Sequence, residues 1–369
     1  MPDENSLSVT HVVGNRPHYM KLAPITKALE ERGISNEILN TGQHWNDSLS
    51  GQFLREFDLE IDYNFKVQPG NHGVQTASMM IELEKHWLNQ SQLPEIVLVY
   101  GDTNSTLASA LVAAKLDIPV AHVEGGVRAE QLETMMPEEI NRKLVDDLSR
   151  WIYTPTERCA DELRREGYQE DRIFNCGDVM FDRLLHTVES DDFVASDRQK
   201  SYVLATVHRA ENTNEQQRLV AILDSLKRLS EQVDVVLALH PRTEKILTET
   251  GKLSDYIDAI EFIPPVGHAE ILAYAKNAKF VISDSGGLPK EAAFLGKKSV
   301  LLRRQAVWSE MIDQGYSFLA DPMKVNSIGT AVESLLASPD KTAAISGFGG
   351  GKAANAIADH IVEVMNWGS

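Results

Sequence analysis

Short, apolar, β-branched runs alternate with amphipathic stretches of helical length along most of this chain. Seven of these runs are predicted strands: SVTHVVG, EIVLVYG, IPVAHVEGG, SYVLATVH, VDVVLALH, AKFVISDSGG and KKSVLLR. Strands that are apolar along their whole length and separated by helices are typical of parallel sheets covered on both faces, so the pattern predicts an α/β fold. A polar break near residues 189–200 separates two such series. We therefore predict two doubly wound domains.

Length and charge narrow the classes of function. The chain has 369 residues, and a single core rarely grows beyond roughly 250–300 residues, which agrees with two domains. It carries 36 basic and 54 acidic side chains, a formal charge of −18. Such a chain lacks the basic surface of a general nucleic-acid or anionic-membrane binder, although a small phosphorylated ligand is still compatible. Two isolated cysteines, an acidic N-terminus and the lack of a membrane-spanning apolar stretch predict a soluble, cytoplasmic protein.

Unusual polar residues cluster where the predicted strands end. They occupy residues 14–17, 101–104 and 122–126 in the first half and residues 208–209, 240–242 and 285–287 in the second. In open parallel sheets, ligands bind at the carboxyl ends of the strands. We therefore predict an active-site cleft between the domains, lined by loops from both.

Two strand-to-helix segments have the residues of a phosphate site. The Ser285-Gly286-Gly287 segment precedes a predicted helix, where glycines allow a phosphate to approach and helix N–H groups attract it. Glu291, one turn further on, could accept hydrogen bonds from two ribose hydroxyls. Arg16, with Lys21 in the next turn, suits a diphosphate because a guanidinium offers paired donors. The alternatives are an ordinary strand-to-helix turn and a capped helix with a surface arginine.

Carboxylates suited to proton transfer come from neighbouring elements. His122 and Glu124 are two apart in a predicted strand and face the same side. Glu138 and Arg142 are four apart on a predicted helix and share one face, although such a pair is often structural. Asp102 follows another strand. We therefore expect three carboxylates to converge where proton transfer could occur.

The remaining charged pairs and histidines are weaker candidates for a functional role. Glu139 and Lys143 have the same spacing, and we interpret them as a surface pair. His208 could contact a phosphate or a leaving-group oxygen, and His240 is a weaker second candidate. Both positions also suit structural histidines, and the other histidines are assigned to scaffold or surface. The sequence has no H-E-x-x-H, paired C-x-x-C, D-x-D or P-loop motif, so we predict no catalytic metal and no cofactor.

Ten motifs follow one another between Val9 and Ile361. In chain order they are GNRPHYMKLAPI, TGQH, VYGDTNSTLA, HVEGGVR, MPEEINRKLVDDLS, TPTE, GDVMFD, TVHRAEN, HPR and SDSGGLPKEAAFLG. This set resembles the UDP-N-acetylglucosamine 2-epimerases of the non-hydrolysing type. The resemblance implies two Rossmann-like domains with a cleft between them, as in B-type glycosyltransferases. It implies an N-terminal domain over residues 1–188 with the catalytic carboxylates, a UDP-binding domain over 189–350, and a helix over 351–369 that returns to the first domain.

The resemblance also implies an activity, the conversion of UDP-N-acetylglucosamine into UDP-N-acetylmannosamine by inversion at C2. In this family UDP is eliminated across C1–C2, an acetamidoglycal forms, and UDP adds back with the proton on the other face. Asp102, Glu124 and Glu138 match the catalytic carboxylates, and His208 matches the catalytic histidine. The residues assigned to substrate or UDP binding are Arg16, Lys21, Arg142, Ser285, Gly286, Gly287 and Glu291, with His240 as a weaker candidate. A homodimer and a role in cell-surface polysaccharide synthesis are further implications.

Two departures from the family pattern concern the substrate. Pro289 stands where the family usually has Gln, and the stretch after Arg303 lacks the usual Thr-Glu and Pro, although Trp308 and Glu310 fit. Four alternatives to this activity stay open. They are a hydrolysing 2-epimerase that releases N-acetylmannosamine and UDP, a 2-epimerase for a modified UDP-2-acetamido sugar, a B-type glycosyltransferase, and a non-catalytic nucleotide-sugar binder.

Overall fold

A computed structural model describes residues 8–43, 59–67, 70–128, 136–190, 193, 198, 200–306 and 308–366. Within these residues, thirteen strands form two sheets. The strands are β1 (Ser8–Val13), β2 (Ser35–Asn40), β3 (Tyr63–Asn64), β4 (Val97–Tyr100), β5 (Val120–Val123), β6 (Trp151–Thr154), β7 (Ile173–Asn175), β8 (Tyr202–Thr206), β9 (Asp234–Ala238), β10 (Glu261–Ile263), β11 (Val281–Ser283), β12 (Ser299–Leu301) and β13 (Ser317–Leu319).

Both sheets are parallel throughout and have the strand order of a doubly wound fold. The first sheet runs β3-β2-β1-β4-β5-β6-β7 and the second runs β10-β9-β8-β11-β12-β13. The order reverses between β1 and β4 in the first sheet and between β8 and β11 in the second. Doubly wound sheets bind ligands at such switch points. The predicted α/β fold with two Rossmann-like domains is confirmed.

Helices connect the strands, and several of them begin after a residue whose side chain caps the helix N-terminus. They are α1 (Arg16–Glu30), α2 (His72–Leu88), α3 (Asn104–Lys115), α4 (Pro137–Leu148), α5 (Glu157–Glu166), α6 (Val179–Glu189), α7 (Ala210–Thr213), α8 (Gln216–Ser230), α9 (Pro241–Glu249), α10 (His268–Asn277), α11 (Leu288–Phe294), α12 (Ser309–Asp313), α13 (Ser327–Ala337) and α14 (Ala353–Asn366). The Asn15 side chain accepts the His18 N–H at the start of α1, and Thr103 forms a capping box at the start of α3. These caps fix the direction in which both helices leave the switch point of the first sheet.

The described chain divides into two compact units, each with its own core. The first unit extends to Arg183 and includes the chain from Gly347 onward, and the second runs from Leu184 to Ser346. In the first unit, α1 and α14 share a core with β1 that contains the fully buried Val9, Leu22, Ile25, Ile357 and Ile361. In the second unit, the core around β8 and α8 contains the fully buried Val203, Ile222 and Ile282.

A buried carboxylate anchors the start of α14. Asp182 of α6 accepts hydrogen bonds from the Ala353 and Ala354 N–H groups at 3.2 and 2.9 Å. Burial raises the pKa of Asp182 from 3.8 to about 6, although the backbone donors act in the opposite direction. Because the folded state holds this proton more tightly than the unfolded state, the stabilisation from Asp182 is complete below its unfolded pKa. It is lost as the pH rises through about 6.

We expect the free energy of unfolding of the wild-type protein, relative to Asp182→Asn, to fall by about 1–3 kcal/mol between pH 4.5 and pH 7.5. Asparagine can still accept a hydrogen bond from α14, but it does not titrate. Urea unfolding of both proteins at the two pH values measures this difference. A difference that does not change with pH would contradict the assigned pKa.

Candidate active site

Two carboxylate–cation pairs lie at the carboxyl end of the first sheet, around its switch point. Lys21 of α1 binds Glu124, which follows β5, and Arg142 of α4 binds Asp102, which follows β4. The Lys21 side chain is nearly buried, whereas 29% of the Asp102 side chain is exposed. We call these four residues the carboxylate site. Their carboxylates are neutralised by cations and still accessible to a ligand.

The backbone around the carboxylate site is tightly constrained. Glu124 has a φ of +70°, a left-handed conformation that is costly for a residue with a Cβ atom. The N–H groups of Glu124 and Gly125 both donate to the Tyr153 carbonyl oxygen, at 3.1 and 3.0 Å, and hold this conformation. Gly101 has a φ of +61°, and a Cβ atom there would lie 3.3 Å from Lys21 Nζ. Any side chain at residue 101 would therefore be strained and would crowd the Lys21–Glu124 pair.

A buried charged network supports both turns that carry these carboxylates. His122 Nδ1 lies 2.7 Å from Asp146 Oδ1, and His122 Nε2 lies 2.7 Å from the Gly101 carbonyl oxygen. The other Asp146 oxygen accepts from Arg128 at 2.7 Å and from the Gly126 N–H at 3.2 Å. Burial alone would raise the pKa of Asp146, but His122 and Arg128 outweigh it and hold that pKa below the ordinary value. Asp146 is therefore a buried anion that links the two turns.

The structure corrects the interpretation of the acidic pair at the start of α4. Glu139 is buried, and its carboxylate accepts a hydrogen bond from Arg142 at 3.1 Å, so the predicted surface pair of Glu139 with Lys143 is wrong. Glu138 is exposed in the first turn of the helix. The neighbouring Asn141 side chain donates to the Asp102 carbonyl oxygen at 2.9 Å. Arg142 thus joins Asp102 to Glu139 within the described residues.

Arg16 is the first residue of α1, at the switch point of the first sheet. It is exposed, and it follows the turn that leaves β1. Asn15 already satisfies the His18 N–H at this helix end. Arg16 therefore lies at the end of the first sheet where doubly wound folds bind their ligands.

His208 and His240 lie together at the carboxyl end of the second sheet. Their rings stack with centroids 5.3 Å apart. The buried Asp284 accepts hydrogen bonds from the backbone N–H groups of His208 and Arg209, at 3.1 and 2.9 Å, and from the Asn212 side chain. Burial and the neighbouring His208 lower the pKa of His240. This arrangement fixes His208 beside the switch point, with part of its ring exposed.

The Ser285-Gly286-Gly287 turn follows β11 at the same switch point. Cβ atoms added at Gly286 or Gly287 would meet nothing closer than 3.9 Å, and neither residue has a positive φ. Neither packing nor backbone conformation therefore requires glycine here, which indicates access for a ligand to the backbone. The expectation that the first N–H groups of this helix attract a phosphate needs correction. The Ser285 hydroxyl already accepts the Gly287 and Leu288 N–H groups, at 3.1 and 3.4 Å. These two donors are not free.

Glu291 is buried in α11 and paired with a histidine. His268 Nε2 lies 2.7 Å from Glu291 Oε1, and both side chains are over nine-tenths buried. Pro289 occupies the first turn of α11, where proline is tolerated because no intrahelical partner is lost. We call His208, His240, the Ser285-Gly286-Gly287 turn and Glu291 the glycine-turn site.

The sequence did not identify four residues that organise these sites. They are Glu139, Asp146, His268 and Asp284. Asp284 directly precedes the serine of the glycine turn, and His268 begins a helix after a glycine, so local signals existed for both. Asp146 acts through partners that lie 18 to 24 residues away in the sequence. Glu139 lies on the inward face of α4. The spacing of charged residues alone shows neither feature.

None of the helices described has the length and apolar character that a bilayer span requires. Likewise, no three His, Cys, Asp or Glu side chains within the described ranges are grouped as metal ligands.

Comparisons with known proteins assign the chain to a family. The family model described as UDP-N-acetylglucosamine 2-epimerase matches residues 27–362. A protein named UDP-N-acetylglucosamine 2-epimerase homolog, from Methanococcus maripaludis, is 39% identical over 329 residues, 86% of this chain and 90% of that protein. The UDP-2,3-diacetamido-2,3-dideoxy-D-glucuronate 2-epimerase of Pseudomonas aeruginosa is 36% identical over 366 residues, 97% of this chain and 100% of that protein.

A solved structure agrees with the sequence relatives. The crystal structure of Methanocaldococcus jannaschii UDP-GlcNAc 2-epimerase in complex with UDP-GlcNAc and UDP matches with a TM-score of 0.83 and 34% identity. The match covers 98% of this chain and 100% of that chain. The resemblance seen in the sequence motifs is thus confirmed, and this chain, with its two Rossmann-like domains of the glycosyltransferase-B type, belongs to the UDP-N-acetylglucosamine 2-epimerase family.

Proposed function

We propose that this protein interconverts UDP-N-acetylglucosamine and UDP-N-acetylmannosamine by the non-hydrolysing route. The observation that carries the proposal is the carboxylate site, in which Asp102 and Glu124 are each paired with a cation at a Rossmann-type switch point. Residues 1–188 would supply the catalytic carboxylates, residues 189–350 the UDP site, and residues 351–369 the helix that returns to the first domain. The enzyme would act in the cytoplasm and supply activated N-acetylmannosamine for cell-surface polysaccharide.

The chemistry accounts for the kinds of residue present. The C2 proton of the sugar is not activated by a carbonyl, so a base cannot remove it in a step that leaves a free carbanion. In the proposed route a base takes this proton, the C1–O bond to the β-phosphate breaks, and UDP leaves as a C1=C2 double bond forms. A phosphate oxygen of UDP then attacks C1 while an acid delivers a proton to the other face of C2. This route needs more than one proton-exchanging group and positive charge on UDP.

The residues are assigned accordingly. Asp102, Glu124 and Glu138 would exchange protons with the sugar, and His208 would act at the leaving oxygen. Lys21 and Arg142 could exchange a carboxylate partner for a phosphate oxygen as charge develops on UDP. The remaining binding residues would be Arg16, His240, Ser285, Gly286, Gly287 and Glu291.

Proton NMR in deuterated water tests the proposal. Purified protein incubated with UDP-N-acetylglucosamine should yield UDP-N-acetylmannosamine that carries deuterium at C2. Free N-acetylmannosamine with UDP would instead assign the hydrolysing reaction. Intact substrate without deuterium at C2 would contradict the epimerisation of UDP-N-acetylglucosamine, and the reaction class would then be tested with modified UDP-2-acetamido sugars.

A 2-epimerase for a modified UDP-2-acetamido sugar is the second candidate function. The relative from Pseudomonas aeruginosa is named for a diacetamido glucuronate sugar, and it matches over 97% of this chain. The same NMR experiment with such a sugar distinguishes the two candidates.

We also propose that the protein is a homodimer. Val74, Ile81 and Leu88 are exposed at seven-residue spacing along α2, and Ile140 and Leu144 are exposed on α4. Both helices pack against α3, so these residues form apolar stripes on one side of the first unit. A second copy related by a two-fold axis would bury such stripes against the same stripes of its partner.

Light scattering after size exclusion should give about twice the monomer mass of 41.0 kDa. The double substitution Ile81→Glu with Leu144→Glu should give the monomer mass, because each dimer would bury four new charges. Ile257→Glu, at an exposed position of the second unit, is the matched control and should stay dimeric. A monomeric wild-type protein would refute the proposal.

A further inference from the structure

The Ser285-Gly286-Gly287 turn itself offers little positive charge to a diphosphate. Its serine hydroxyl already accepts the N–H groups of Gly287 and Leu288, and the helix that follows, Leu288–Phe294, has only seven residues. The side chain directly before the turn is the buried carboxylate of Asp284. A diphosphate bound at this turn therefore needs a cation from another element of the second unit.

Arg303 brings such a cation to the turn. It lies two residues after β12, and β12 pairs with β11, the strand that leads into the turn. The Arg303 Nε donates to the Asp284 carbonyl oxygen at 3.2 Å. A terminal nitrogen of the same guanidinium lies 4.0 Å from the place that a Cβ atom of Gly286 would occupy. The space in front of the Gly286 backbone is therefore bounded by a positive charge.

The guanidinium is anchored and still has donors for a ligand. The bond to Asp284 uses only Nε, which leaves both terminal nitrogens as donors. Among the residues that the structure describes, no carboxylate lies within ion-pairing distance of Arg303. The side chain is half-buried and lines a cavity of about 470 Å³, so a ligand can reach it. A guanidinium held in this way is suited to phosphate oxygens, which accept its paired donors.

We infer that Arg303 is a further binding and catalytic residue, which holds the diphosphate of the UDP sugar in front of the Gly286 backbone. This inference rests on the proposed function. As the C1–O bond breaks, its electron pair passes to the β-phosphate and the negative charge on UDP increases. The fixed guanidinium stabilises this charge and keeps its own proton. Its interaction is therefore stronger in the transition state than in the bound substrate.

Substitution of Arg303 tests the inference by turnover and by binding. Arg303→Gln should lower kcat about 100-fold, which is the effect of losing one donor to a developing anion. The Kd for UDP, measured by calorimetric titration, should rise about tenfold because a charge-assisted contact is lost. The Kd for uridine should stay within about twofold, because uridine has no phosphate. Arg303→Lys keeps the charge but lacks the planar, paired donors, so it should recover part of both losses.

Arg304→Gln is the matched control. Arg304 is the next residue along the chain, is exposed, and lies 3.3 Å from a carboxylate oxygen of Asp321. The substitution removes the same charge from the same segment. Because exposed ion pairs contribute little, kcat and the Kd for UDP should stay within about twofold of the wild-type values.

Three results would overturn the inference. The first is an unchanged Kd for UDP in Arg303→Gln, and the second is an equal loss of UDP affinity in Arg304→Gln. The third is an equal loss of affinity for uridine in Arg303→Gln, since Arg303 would then only support the fold of the turn.

Failure of the inference is distinguishable from failure of the proposed function, because UDP binding is measured without turnover. Exchange at C2 by the wild-type protein, together with normal kcat and Kd in Arg303→Gln, refutes only the role of Arg303. Absence of exchange with UDP-N-acetylglucosamine and with modified UDP-2-acetamido sugars refutes the epimerase reaction. Weaker binding of UDP but not of uridine by Arg303→Gln would still support Arg303 as a phosphate-binding residue.

Discussion

Asp102→Asn is expected to lower kcat for inversion at C2 by roughly 10²–10⁴-fold, the range that a positioned acid or base contributes. Asparagine keeps the shape of the side chain and can still accept a hydrogen bond from Arg142, but it cannot take or return a proton. The Kd for UDP should stay within about threefold, because the residues assigned to UDP lie mainly in the second unit. Deuterium incorporation measures kcat, and calorimetric titration with UDP measures Kd.

Asp117→Asn is the matched control for this substitution. Asp117 is exposed before the amino end of β5 and has a φ of +57°, which asparagine adopts readily. It should retain wild-type kcat. Near-normal turnover by Asp102→Asn would remove Asp102 from the proton-transferring groups, and a lower melting temperature with lost UDP binding would make it a structural residue.

Glu138→Gln is the companion substitution, because the family resemblance assigns catalysis to Glu138 while the structure buries Glu139 against Arg142. If Glu138 exchanges protons with the sugar, Glu138→Gln should reduce kcat as strongly as Asp102→Asn does. Glu139→Gln keeps a hydrogen-bond acceptor for Arg142, so it should have a smaller effect. A larger loss in Glu139→Gln would transfer the catalytic role to the buried residue.

The positions of the sites could be predicted because they depend on topology. Apolar strands separated by helices specify parallel sheets, and the carboxyl ends of such strands lie on one edge. This rule predicts that Asp102 and Glu124 lie close together, and in the structure both carboxylates act on Arg142. It also placed His208 beside the Ser285-Gly286-Gly287 turn.

Two kinds of detail could not be predicted. One is which face of a helix packs against the sheet, and the other is which residues distant in sequence contact each other. Glu138 and Glu139 are adjacent, and each lies four residues before a basic residue of the same helix. Only the packing of α4 against the sheet decides which of the two glutamates is buried. The left-handed backbone of Glu124 is imposed by the Tyr153 carbonyl, which is distant in sequence. The Asp146 network joins residues from two turns and a helix, and the motifs that contain these residues do not show which of their side chains meet.

Asp146 connects the two turns that carry the catalytic candidates. Its two oxygens hold His122, Arg128 and the Gly126 N–H, and His122 holds the carbonyl of Gly101 in turn. Gly101 precedes Asp102, and Gly126 follows Glu124 by two residues. A single buried carboxylate therefore sets the spacing of both catalytic candidates. We interpret Asp146 as a positioning residue, since its own contacts are with the protein.

Asp146→Ala should lower the free energy of unfolding by about 3–5 kcal/mol, the usual cost of leaving a buried charge without its partner. It should also reduce kcat by about 100-fold, since small misplacements of reacting groups have effects of that size. Asp146→Asn is the conservative comparison. Its amide can donate to His122 Nδ1 and accept from Arg128 and Gly126, provided that His122 carries its proton on Nε2 and still donates to Gly101.

Asp146→Asn should therefore recover most of the lost kcat, while KM stays near the wild-type value in both variants. Urea unfolding and the deuterium assay at several substrate concentrations separate the two effects. A residue that only stabilised the fold would lower the amount of folded enzyme and leave kcat per folded molecule intact. Equal kcat values in the alanine and wild-type proteins, after correction for the folded fraction, would show that the turns keep their geometry without Asp146.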